Sequence, residues 1–313
     1  DLFARDAFNG VLRWKRTLDG VPGGGDTPPR FALTAVDGRV YCYPKDGGPL
    51  AALDADTGET LTEFAQGPTL PPIAGWNKWR DPIRKIHFVV RILDGSVLQT
   101  FGSDVYVSDA KTGKLLWKKN FGDKSTIGWA VAGGGQLFVV VADRPLIPNR
   151  ASHLTPADRI IALDAKTGDT NWEFDGLAGY GVFRIIHYRD SVIAPSFQIE
   201  GLKPHFDRNP LVLRLDAADG KVVWRSEPKA SAGGHYTIAM ARGDEVFVGQ
   251  QVGFGLDFKT GKLIRSYDWG QHDASCADLK CVPNYTMYGL AFIDKSGKLV
   301  TRGQTRTICD VGM

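Results

Sequence analysis

Short apolar runs and polar turns alternate along the whole chain. Residues 160–163 and 211–215 are typical runs, and each leads into a polar turn that ends in glycine. After the turn, polar and apolar positions alternate, as in residues 221–224. Alternation with a period of two is typical of half-buried β-strands, and no segment has the length and the 3.6-residue period of a substantial helix. The pattern therefore predicts an all-β fold of short strands.

One turn pattern recurs six times along the chain, at intervals of about 40 to 55 residues. Each copy begins with Asp and ends in Gly, and three of the six copies read Asp-Ala-x-Thr-Gly. The Asp side chain can accept hydrogen bonds from backbone N–H groups further into the turn, and Gly supplies the positive φ that closes a hairpin. We therefore predict a tight β-turn at each copy. The copies run from Asp6 to Gly10, Asp54 to Gly58, Asp109 to Gly113, Asp164 to Gly168, Asp216 to Gly220 and Asp257 to Gly261.

A second kind of hairpin signal lies between these turns. Examples are Asp37-Gly38, Asp94-Gly95 and the three glycines at 133–135. Each full period therefore holds four short strands joined by turns, which is typical of a β-propeller blade. The sequence predicts a β-propeller of four-stranded antiparallel blades, with six blades visible.

The two ends of the chain each carry half of a blade. Residues 1–20 contain two strands and a turn, whereas residues 284–313 contain two strands and no such turn. Joined, these halves would form one composite blade that closes the ring and removes two exposed sheet edges. Alternatively, the chain is an arc of a seven- or eight-bladed ring. In either arrangement we expect residues 1–313 to form a single β-propeller domain.

Composition and charge exclude several classes of protein. Hydrophobic residues make up 43% and charged residues 23%, which is close to globular averages and excludes a disordered or fibrous chain. Lys and Arg number 38 against 35 Asp and Glu, so the net charge of +3 is too small for an electrostatic nucleic-acid binder. No apolar run approaches the roughly 20 residues of a membrane helix. We expect no nucleic-acid partner and no membrane span.

Four of the six turns are followed by a Trp eight residues after the Asp. This pattern resembles the tryptophan-docking motif of the quinoprotein (PQQ-like) β-propeller superfamily, and in particular bacterial extracytoplasmic proteins with PQQ-like repeats. The resemblance implies that each of these Trp side chains packs on the neighbouring blade. Thr62 and Arg265 occupy the same place in the second and sixth copies, which would lack that contact. The four residues are Trp14, Trp117, Trp172 and Trp224.

The resemblance also sets out what quinoprotein catalysis would require. It implies a PQQ ring in the central channel, a calcium ion held by Glu, Asn and Asp oxygens, and an Asp base. The chain has no adjacent pair of cysteines and no Cys-x-x-Cys-His haem site, and hydrolase and nucleotide fingerprints are absent too. PQQ with calcium is therefore disfavoured. The sequence predicts no cofactor, no metal site and no catalytic residue.

Polar and aromatic residues recur near the start of the first strand of each blade. Aligning the blades on the upstream hairpins places these residues at one mouth of the channel, where they would suit an anionic or sugar-like ligand. Alternatively, they cap a channel that binds nothing. The residues are Arg30, His87, Trp129, Arg184, His235, Tyr236 and Tyr285.

Two irregular segments complete the set of candidates. Trp76 and Trp79 lie in a Pro-rich insertion, where exposed aromatic side chains would contact a partner or a glycan, or else would fold over a blade edge. Cys276 and Cys281 lie close together in a loop-like stretch and are candidates for a local disulfide. Free thiols and a metal site are the alternatives for the cysteines.

These observations favour a non-catalytic PQQ-like β-propeller that acts as a scaffold or binding module for a protein or glycan partner. The alternative is a quinoprotein-like oxidoreductase or a propeller enzyme that acts on polysaccharide. By resemblance we expect a periplasmic or extracellular protein. Since the chain begins at Asp1 without a signal peptide, we expect either that a leader has been removed or that the chain is part of a longer one.

Overall fold

Strands and turns account for the ordered elements of this computed structural model, which describes residues 1–6, 8–19, 33–45, 47–64, 67–69, 91–93, 95–143, 155–182, 185–198, 210–229, 238–249, 252–268, 291–293 and 299–301. Every element assigned within these ranges is a β-strand, and every strand pairing is antiparallel. The predicted all-β class is therefore confirmed.

The chain divides into two compact units. The first comprises residues 1–148 and 156–178 and holds four sheets, whose strand orders are β1-β2, β3-β4-β5, β6-β7-β8-β9 and β10-β11-β13-β14. The short strand β12 (Thr155–Ala157) lies at the sequence boundary between the units. The strands of the first unit are β1 (Leu2–Arg5), β2 (Leu12–Arg16), β3 (Leu33–Val36), β4 (Arg39–Cys42), β5 (Ala51–Asp54), β6 (Arg91–Leu93), β7 (Ser96–Phe101), β8 (Asp104–Asp109), β9 (Leu115–Asn120), β10 (Thr126–Gly133), β11 (Gln136–Ala142), β13 (Arg159–Asp164) and β14 (Thr170–Phe174).

The second unit comprises residues 149–155 and 179–313. One of its sheets pairs β17 with β18 and β18 with β19, while β15 and β16 pair with opposite ends of β17. The others have the orders β20-β21-β22-β23 and β24-β25. The strands are β15 (Tyr180–Val182), β16 (Ile186–Tyr188), β17 (Ser191–Gln198), β18 (Pro210–Asp216), β19 (Val222–Ser226), β20 (Ile238–Arg242), β21 (Glu245–Gly249), β22 (Val252–Asp257), β23 (Leu263–Asp268), β24 (Ala291–Ile293) and β25 (Leu299–Thr301).

Apolar faces of neighbouring sheets pack on each other within each unit. In the first unit, Leu98 and Val107 of one sheet share a core with Ile127 and Val139 of the next. In the second unit, a core joins residues of β17 and β18 to residues of β21 and β22. All four of the named side chains are fully buried, as expected for short strands whose two faces are both covered. The apolar core of each unit thus includes side chains from sheets that pack on each other.

The recurring turns are held by the Asp side chain and by glycine. In the second copy, Asp54 Oδ1 accepts hydrogen bonds from the backbone N–H groups of Asp56 (2.9 Å) and Thr57 (2.8 Å). Gly58 has a φ of 76°, in the left-handed region that residues with a Cβ avoid. The same pair of bonds to the Asp carboxylate recurs at Asp6, Asp109, Asp164 and Asp257.

These turn contacts make the stability of the protein sensitive to acid. The Thr three positions after the Asp, through its backbone or side chain, is the largest cause that lowers the pKa of four carboxyls below the ordinary value of 3.8. A pKa that is lower in the folded state stabilises the fold above the unfolded pKa, and this contribution is lost as the pH falls through the folded pKa. The carboxyls are those of Asp54, Asp109, Asp164 and Asp257.

We therefore expect the free energy of unfolding to fall as the pH drops below about 4. Urea unfolding followed by circular dichroism between about pH 7 and pH 3 measures this dependence. The Asp109→Asn variant should show a shallower decline, because its turn side chain no longer takes up a proton. An equally steep decline in wild type and variant would show that the Asp109 turn does not contribute.

In five of the six copies the turn is followed by an outer strand, the last strand of its sheet, and in each of these five it carries a β-bulge at the same place. The register of pairing shifts directly before the Trp position, so that two residues of the outer strand oppose one residue of its neighbour. In β9, for example, Trp117 pairs with Val107 and Leu115 pairs with Ser108, while Leu116 has no opposite residue. The residues skipped are Arg13, Leu116, Asn171, Val223 and Ile264.

Candidate binding site

Neighbouring sheets are joined by a tryptophan and a turn. Trp14 of β2 donates a hydrogen bond from Nε1 to the carbonyl oxygen of Ala55, at 2.9 Å, in the turn that follows β5. Its ring also lies over Gly58 so closely that a Cβ atom there would be 2.7 Å from the indole. Glycine is therefore required in this turn for two reasons, its positive φ and the ring above it.

The same joint recurs once more in the first unit and once in the second. Trp117 donates to the carbonyl of Ala165 at 3.0 Å, and Trp224 donates to the carbonyl of Phe258 at 2.9 Å. A Cβ atom on Gly168 would lie 2.8 Å from the Trp117 ring, and one on Gly261 would lie 2.7 Å from the Trp224 ring. The fourth residue of this set, Trp172, is buried and packs on Phe138 of its own sheet, with 5.7 Å between ring centroids.

A second hydrogen bond strengthens each of these three joints. The side chain two residues after the Trp donates to the carbonyl of the same turn glycine. The distances are 2.8 Å from Arg16 to Gly58, 3.1 Å from Lys119 to Gly168 and 2.6 Å from Ser226 to Gly261. Sequence reasoning missed this contact, although a donor side chain two positions after the Trp was visible in these three copies.

The second copy, which has no Trp, makes an equivalent joint from a different strand. Tyr41 of β4 donates its hydroxyl to the carbonyl of Ala110 at 2.7 Å, in a buried position. Phe64 packs edge-on against Tyr41, with 5.7 Å between ring centroids. Arg39 adds a hydrogen bond to the carbonyl of Lys111 at 3.1 Å. Thr62 therefore leaves this copy without the Trp contact, and Tyr41 supplies a donor to the neighbouring sheet instead.

The sixth copy carries Phe258 where all five other copies have Ala, and this ring makes several contacts within the second unit. Phe258 is buried, and the guanidinium of Arg214 lies 4.0 Å from its centroid. Tyr188 meets the ring edge-on at 5.4 Å, and Arg189 lies 5.1 Å from it. Arg189 also forms an ion pair with Asp244 at 3.1 Å. Aromatic and cation–π contacts of this kind add to the burial of the ring.

Of the seven residues predicted at the channel mouth, the structure describes one. Trp129 lies on β10, where it pairs with Val140 beside a shift in register, and its side chain is buried. A ligand site at this mouth stays a prediction. The other six residues and the two tryptophans of the Pro-rich insertion lie outside the described residues: Arg30, His87, Arg184, His235, Tyr236, Tyr285, Trp76 and Trp79.

Cys42 lies among the described residues, whereas the two disulfide candidates do not. Cys276 and Cys281, the disulfide candidates, lie outside the described residues. Cys42 on β4 is a buried free thiol that packs with Val40 and Leu53. Burial raises the pKa of Cys42 to about 11, so this thiol stays protonated and unreactive at neutral pH.

Exposed apolar side chains concentrate on the outer strands, at the bulge. Three of these strands expose two consecutive aliphatic residues, and each exposed pair is preceded by an exposed Lys. The six aliphatic side chains are between 43% and 49% exposed. The three segments are Lys114-Leu115-Leu116 on β9, Lys221-Val222-Val223 on β19 and Lys262-Leu263-Ile264 on β23, and we call them the basic–apolar edges.

Membrane-spanning helices and clusters of metal-ligating side chains are both absent from the described ranges. No helix there is long and apolar enough to span a membrane. These ranges also contain no group of three or more His, Cys, Asp or Glu side chains placed to hold a metal ion.

One known protein family matches the part of the chain that carries the repeats. A sequence profile described as "Outer membrane protein assembly factor BamB" matches residues 71–196 and, in an overlapping alignment, residues 101–274. Together these matches cover more than half of the chain. Among curated proteins, none matches the sequence.

Solved structures share the fold at low sequence identity. BamB from Moraxella catarrhalis is 16% identical with a TM-score of 0.50, over 85% of this chain and 67% of that one. A europium-containing methanol dehydrogenase is 16% identical with a TM-score of 0.53, over 76% of this chain and 50% of that one. The quinohemoprotein alcohol dehydrogenase from Comamonas testosteroni is 16% identical with a TM-score of 0.52, over 87% of this chain and 45% of that one.

These likenesses show the fold. The antiparallel sheets of this chain are blades of a β-propeller, as the repeats predict. The chain spans about two thirds of the BamB structure and half or less of the two dehydrogenases.

Proposed function

This chain belongs to the PQQ-like β-propeller family described as outer membrane protein assembly factor BamB, and we propose that it is a non-catalytic propeller that binds a protein or glycan partner. The observation that carries the proposal is the family match across residues 71–274, since that family is named for an assembly factor. The same description supports an extracytoplasmic location, periplasmic or extracellular, for this protein.

The contacts between blades support a scaffold role. In each Trp joint the polar side chain that reaches the next blade ends on a main-chain carbonyl of a turn. These side chains are thus committed to holding blades together. Blades joined in this way within each unit suit partner binding, because well-packed elements position a contact surface at little entropic cost.

The alternative is an oxidoreductase of the quinoprotein type or an enzyme that acts on polysaccharide. The likeness to methanol dehydrogenase and to the quinohemoprotein alcohol dehydrogenase favours it, but at 16% identity that likeness extends to the fold alone. Calcium with PQQ would need several carboxylate and amide oxygens around one point. Within the described ranges no group of three or more acidic, His or Cys side chains is placed to hold a metal ion, so these residues give the alternative no support.

Reconstitution with PQQ and Ca²⁺ tests the proposal. We expect no quinone absorbance band to co-elute with the protein on gel filtration, and no alcohol-dependent reduction of an artificial electron-accepting dye. A PQQ-dependent alcohol dehydrogenase treated in parallel is the positive control. A co-eluting quinone band together with dye reduction would replace the scaffold by the oxidoreductase.

Tryptophan fluorescence then separates the two classes of partner. The chain has 8 Trp, so a glycan that stacks on one of them should shift the emission. A shift that saturates with one member of an oligosaccharide panel would assign a glycan partner. An unchanged spectrum across the panel favours a protein partner.

A further inference from the structure

The first of the six recurring turns is built like the turns that receive a tryptophan. Asp6 Oδ1 accepts hydrogen bonds from the backbone N–H groups of Phe8 (3.0 Å) and Asn9 (3.1 Å). The N–H of Gly10 donates to the carbonyl oxygen of Asp6 at 2.9 Å, and Gly10 has a φ of 74°, close to the 76° of Gly58. Residue 7 lies outside the described residues. The main chain of residues 8–10 thus has the form that carries a Trp ring elsewhere in the molecule.

This turn differs from the other five in the exposure of its glycine. Gly10 is exposed, and a Cβ atom there would meet nothing within 4 Å. In the three Trp joints the indole ring lies over the corresponding glycine, at 2.7 to 2.8 Å from a Cβ built there. We call Asp6 and residues 8–10 the open turn, since the face that a ring covers in those joints is exposed here. The glycines of the other five turns are all buried, and they are Gly58, Gly113, Gly168, Gly220 and Gly261.

The outer strands that the structure describes have no further Trp to offer to the open turn. Three of their Trp side chains each donate a hydrogen bond within a joint already described. The fourth, Trp172, is buried and packs on Phe138. At the same place on β23, Arg265 donates to the carboxylate of Glu245 in its own sheet, at 2.9 Å. A ring for the open turn therefore has to come from another source.

Phe8 indicates which residue precedes that ring. In the first joint, Arg13 lies directly before Trp14 and forms an ion pair with Asp56, the third residue of the receiving turn, at 2.6 Å. Phe8 is the third residue of the open turn, and its side chain is 99% exposed. The other five copies have Asp, Lys or Ala at this position. An apolar residue before the incoming Trp would meet Phe8 and remove both side chains from water.

We propose that the open turn is a docking site for a tryptophan of a partner protein, on an extended segment in which an apolar residue precedes the Trp. The indole lies over Gly10, as the ring of Trp14 lies over Gly58, and the preceding side chain covers Phe8. The partner needs no second donor, because Arg5 of the same sheet donates to the carbonyl oxygen of Gly10 at 2.9 Å. The inference rests on the proposed scaffold function and names the surface and the chemistry of its partner.

The joints within the molecule favour a protein segment over a glycan or a second copy of this chain. Each of the three Trp joints shows a turn of this form with its occupant in place, and that occupant is a Trp of a β-strand. A second copy would have to release one of these side chains from a joint of its own. A strand of another protein carries no such cost, and its rigid ring loses little conformational entropy on docking.

Fluorescence anisotropy with a labelled peptide tests the proposal. A peptide with the sequence of residues 219–228 contains Val223 and Trp224 and so has both predicted features. We expect saturable binding to the wild-type protein. The same peptide with Ala in place of the Trp should bind at least tenfold more weakly, because the ring provides most of the contact.

The matched protein variant is Gly10→Ala. Its Cβ atom would occupy the place of the ring, as the distance of 2.7 Å at Gly58 indicates, so we expect peptide binding to weaken by at least tenfold. Gly38→Ala is the control, because Gly38 has a φ of 73° and a Cβ atom there also meets nothing within 4 Å. The control imposes the same backbone strain without touching the open turn and should leave binding unchanged. Circular dichroism verifies that both variants fold.

A change of specificity at Phe8 provides a second, independent readout. Phe8→Asp gives the open turn the residue that pairs with Arg13 in the first joint. We expect this variant to bind the Val–Trp peptide about threefold or more weakly than the wild type does. It should also prefer a peptide with Arg directly before the Trp, and a double-mutant cycle over the two proteins and two peptides measures the coupling. A general loss of structure would weaken both peptides and leave no change of preference.

Four results would overturn the proposal. They are no saturable binding of the peptide by the wild type, equal binding by wild type and Gly10→Ala, equal binding of the Trp and Ala peptides, and a wild-type dimer in sedimentation velocity that Gly10→Ala abolishes. The last would assign the open turn to a second copy. Each leaves the scaffold function standing, because a partner could use another surface. Conversely, PQQ-dependent alcohol oxidation would remove the scaffold function without changing the peptide result.

Discussion

Replacing Gly168 with alanine is expected to lower the free energy of unfolding by about 3 kcal/mol. The residue has a φ of 78°, a conformation that costs an ordinary residue about 1–2 kcal/mol. The new Cβ would also lie 2.8 Å from the Trp117 ring, and overpacking of that kind costs about 1–3 kcal/mol. Urea unfolding of wild type and variant at neutral pH measures the loss.

Gly135→Ala is the matched control, since it lies in the same blade and differs only in its surroundings. Its φ is 75°, close to that of Gly168, but a Cβ there would meet nothing within 4 Å. We expect it to cost about 1 kcal/mol, the part due to backbone strain alone. The difference between the two variants measures the contact with the Trp117 ring. Equal losses would contradict the close packing of ring on turn.

Replacing Trp224 with alanine is expected to cost about 4 kcal/mol. The side chain is buried in a core that includes Val246 and Phe254 of the next blade. The substitution removes this packing and also leaves the carbonyl of Phe258 without the indole donor. Thermal and urea unfolding followed by far-ultraviolet circular dichroism measure the effect without depending on the fluorescence of the lost Trp.

Trp224→Phe separates packing from the hydrogen bond. It keeps an aromatic ring over Gly261 and removes the N–H donor, so we expect a loss of about 1–2 kcal/mol. The aliphatic residue beside it supplies a second comparison, because Val223→Ala removes only half-exposed atoms and should change stability by less than about 1 kcal/mol. A Phe variant as unstable as the Ala variant would show that the donor, and not the ring, holds the joint.

The repeats made the blades predictable because their signals are local. A turn that needs an acceptor at its start and a positive φ at its end leaves Asp and Gly at fixed positions, as at Asp54 and Gly58. Apolar runs such as residues 160–163 are short and buried on both faces, which leaves little room for another structure. Local signals of this kind predict turns and strands without any knowledge of which strands are neighbours.

The contacts between blades were less accessible to sequence reasoning. Tyr41 donates to a residue that lies far along the chain, in the next blade, and nothing near Tyr41 in the sequence marks it as a replacement for Trp. The second hydrogen bond of each Trp joint comes from a different residue type, so no single residue type recurs at that position. The donors are Arg16, Lys119 and Ser226. Such contacts depend on how two sheets meet, which follows only from the folded arrangement.

The exposed pairs at the bulge show a different obstacle. Alternation in residues 114–117 predicts that one of Leu115 and Leu116 is buried, whereas the structure exposes both. The cause is a single extra residue in the outer strand, and that residue has a different identity in each blade. The channel mouth, by contrast, was predicted by aligning the blades, and it remains a prediction. Of its seven residues, the structure describes Trp129 alone.

The main-chain acceptor of the three Trp joints has a consequence for how repeats of this kind multiply. Because the Trp bonds to the main-chain carbonyl after the turn Asp, the receiving position can be Ala55, Ala165 or Phe258. The acceptor in these turns is therefore independent of the residue type at that position. A gene segment duplicated in tandem would supply a compatible neighbour at once, and the side chains turned away from the joint would be free to diverge.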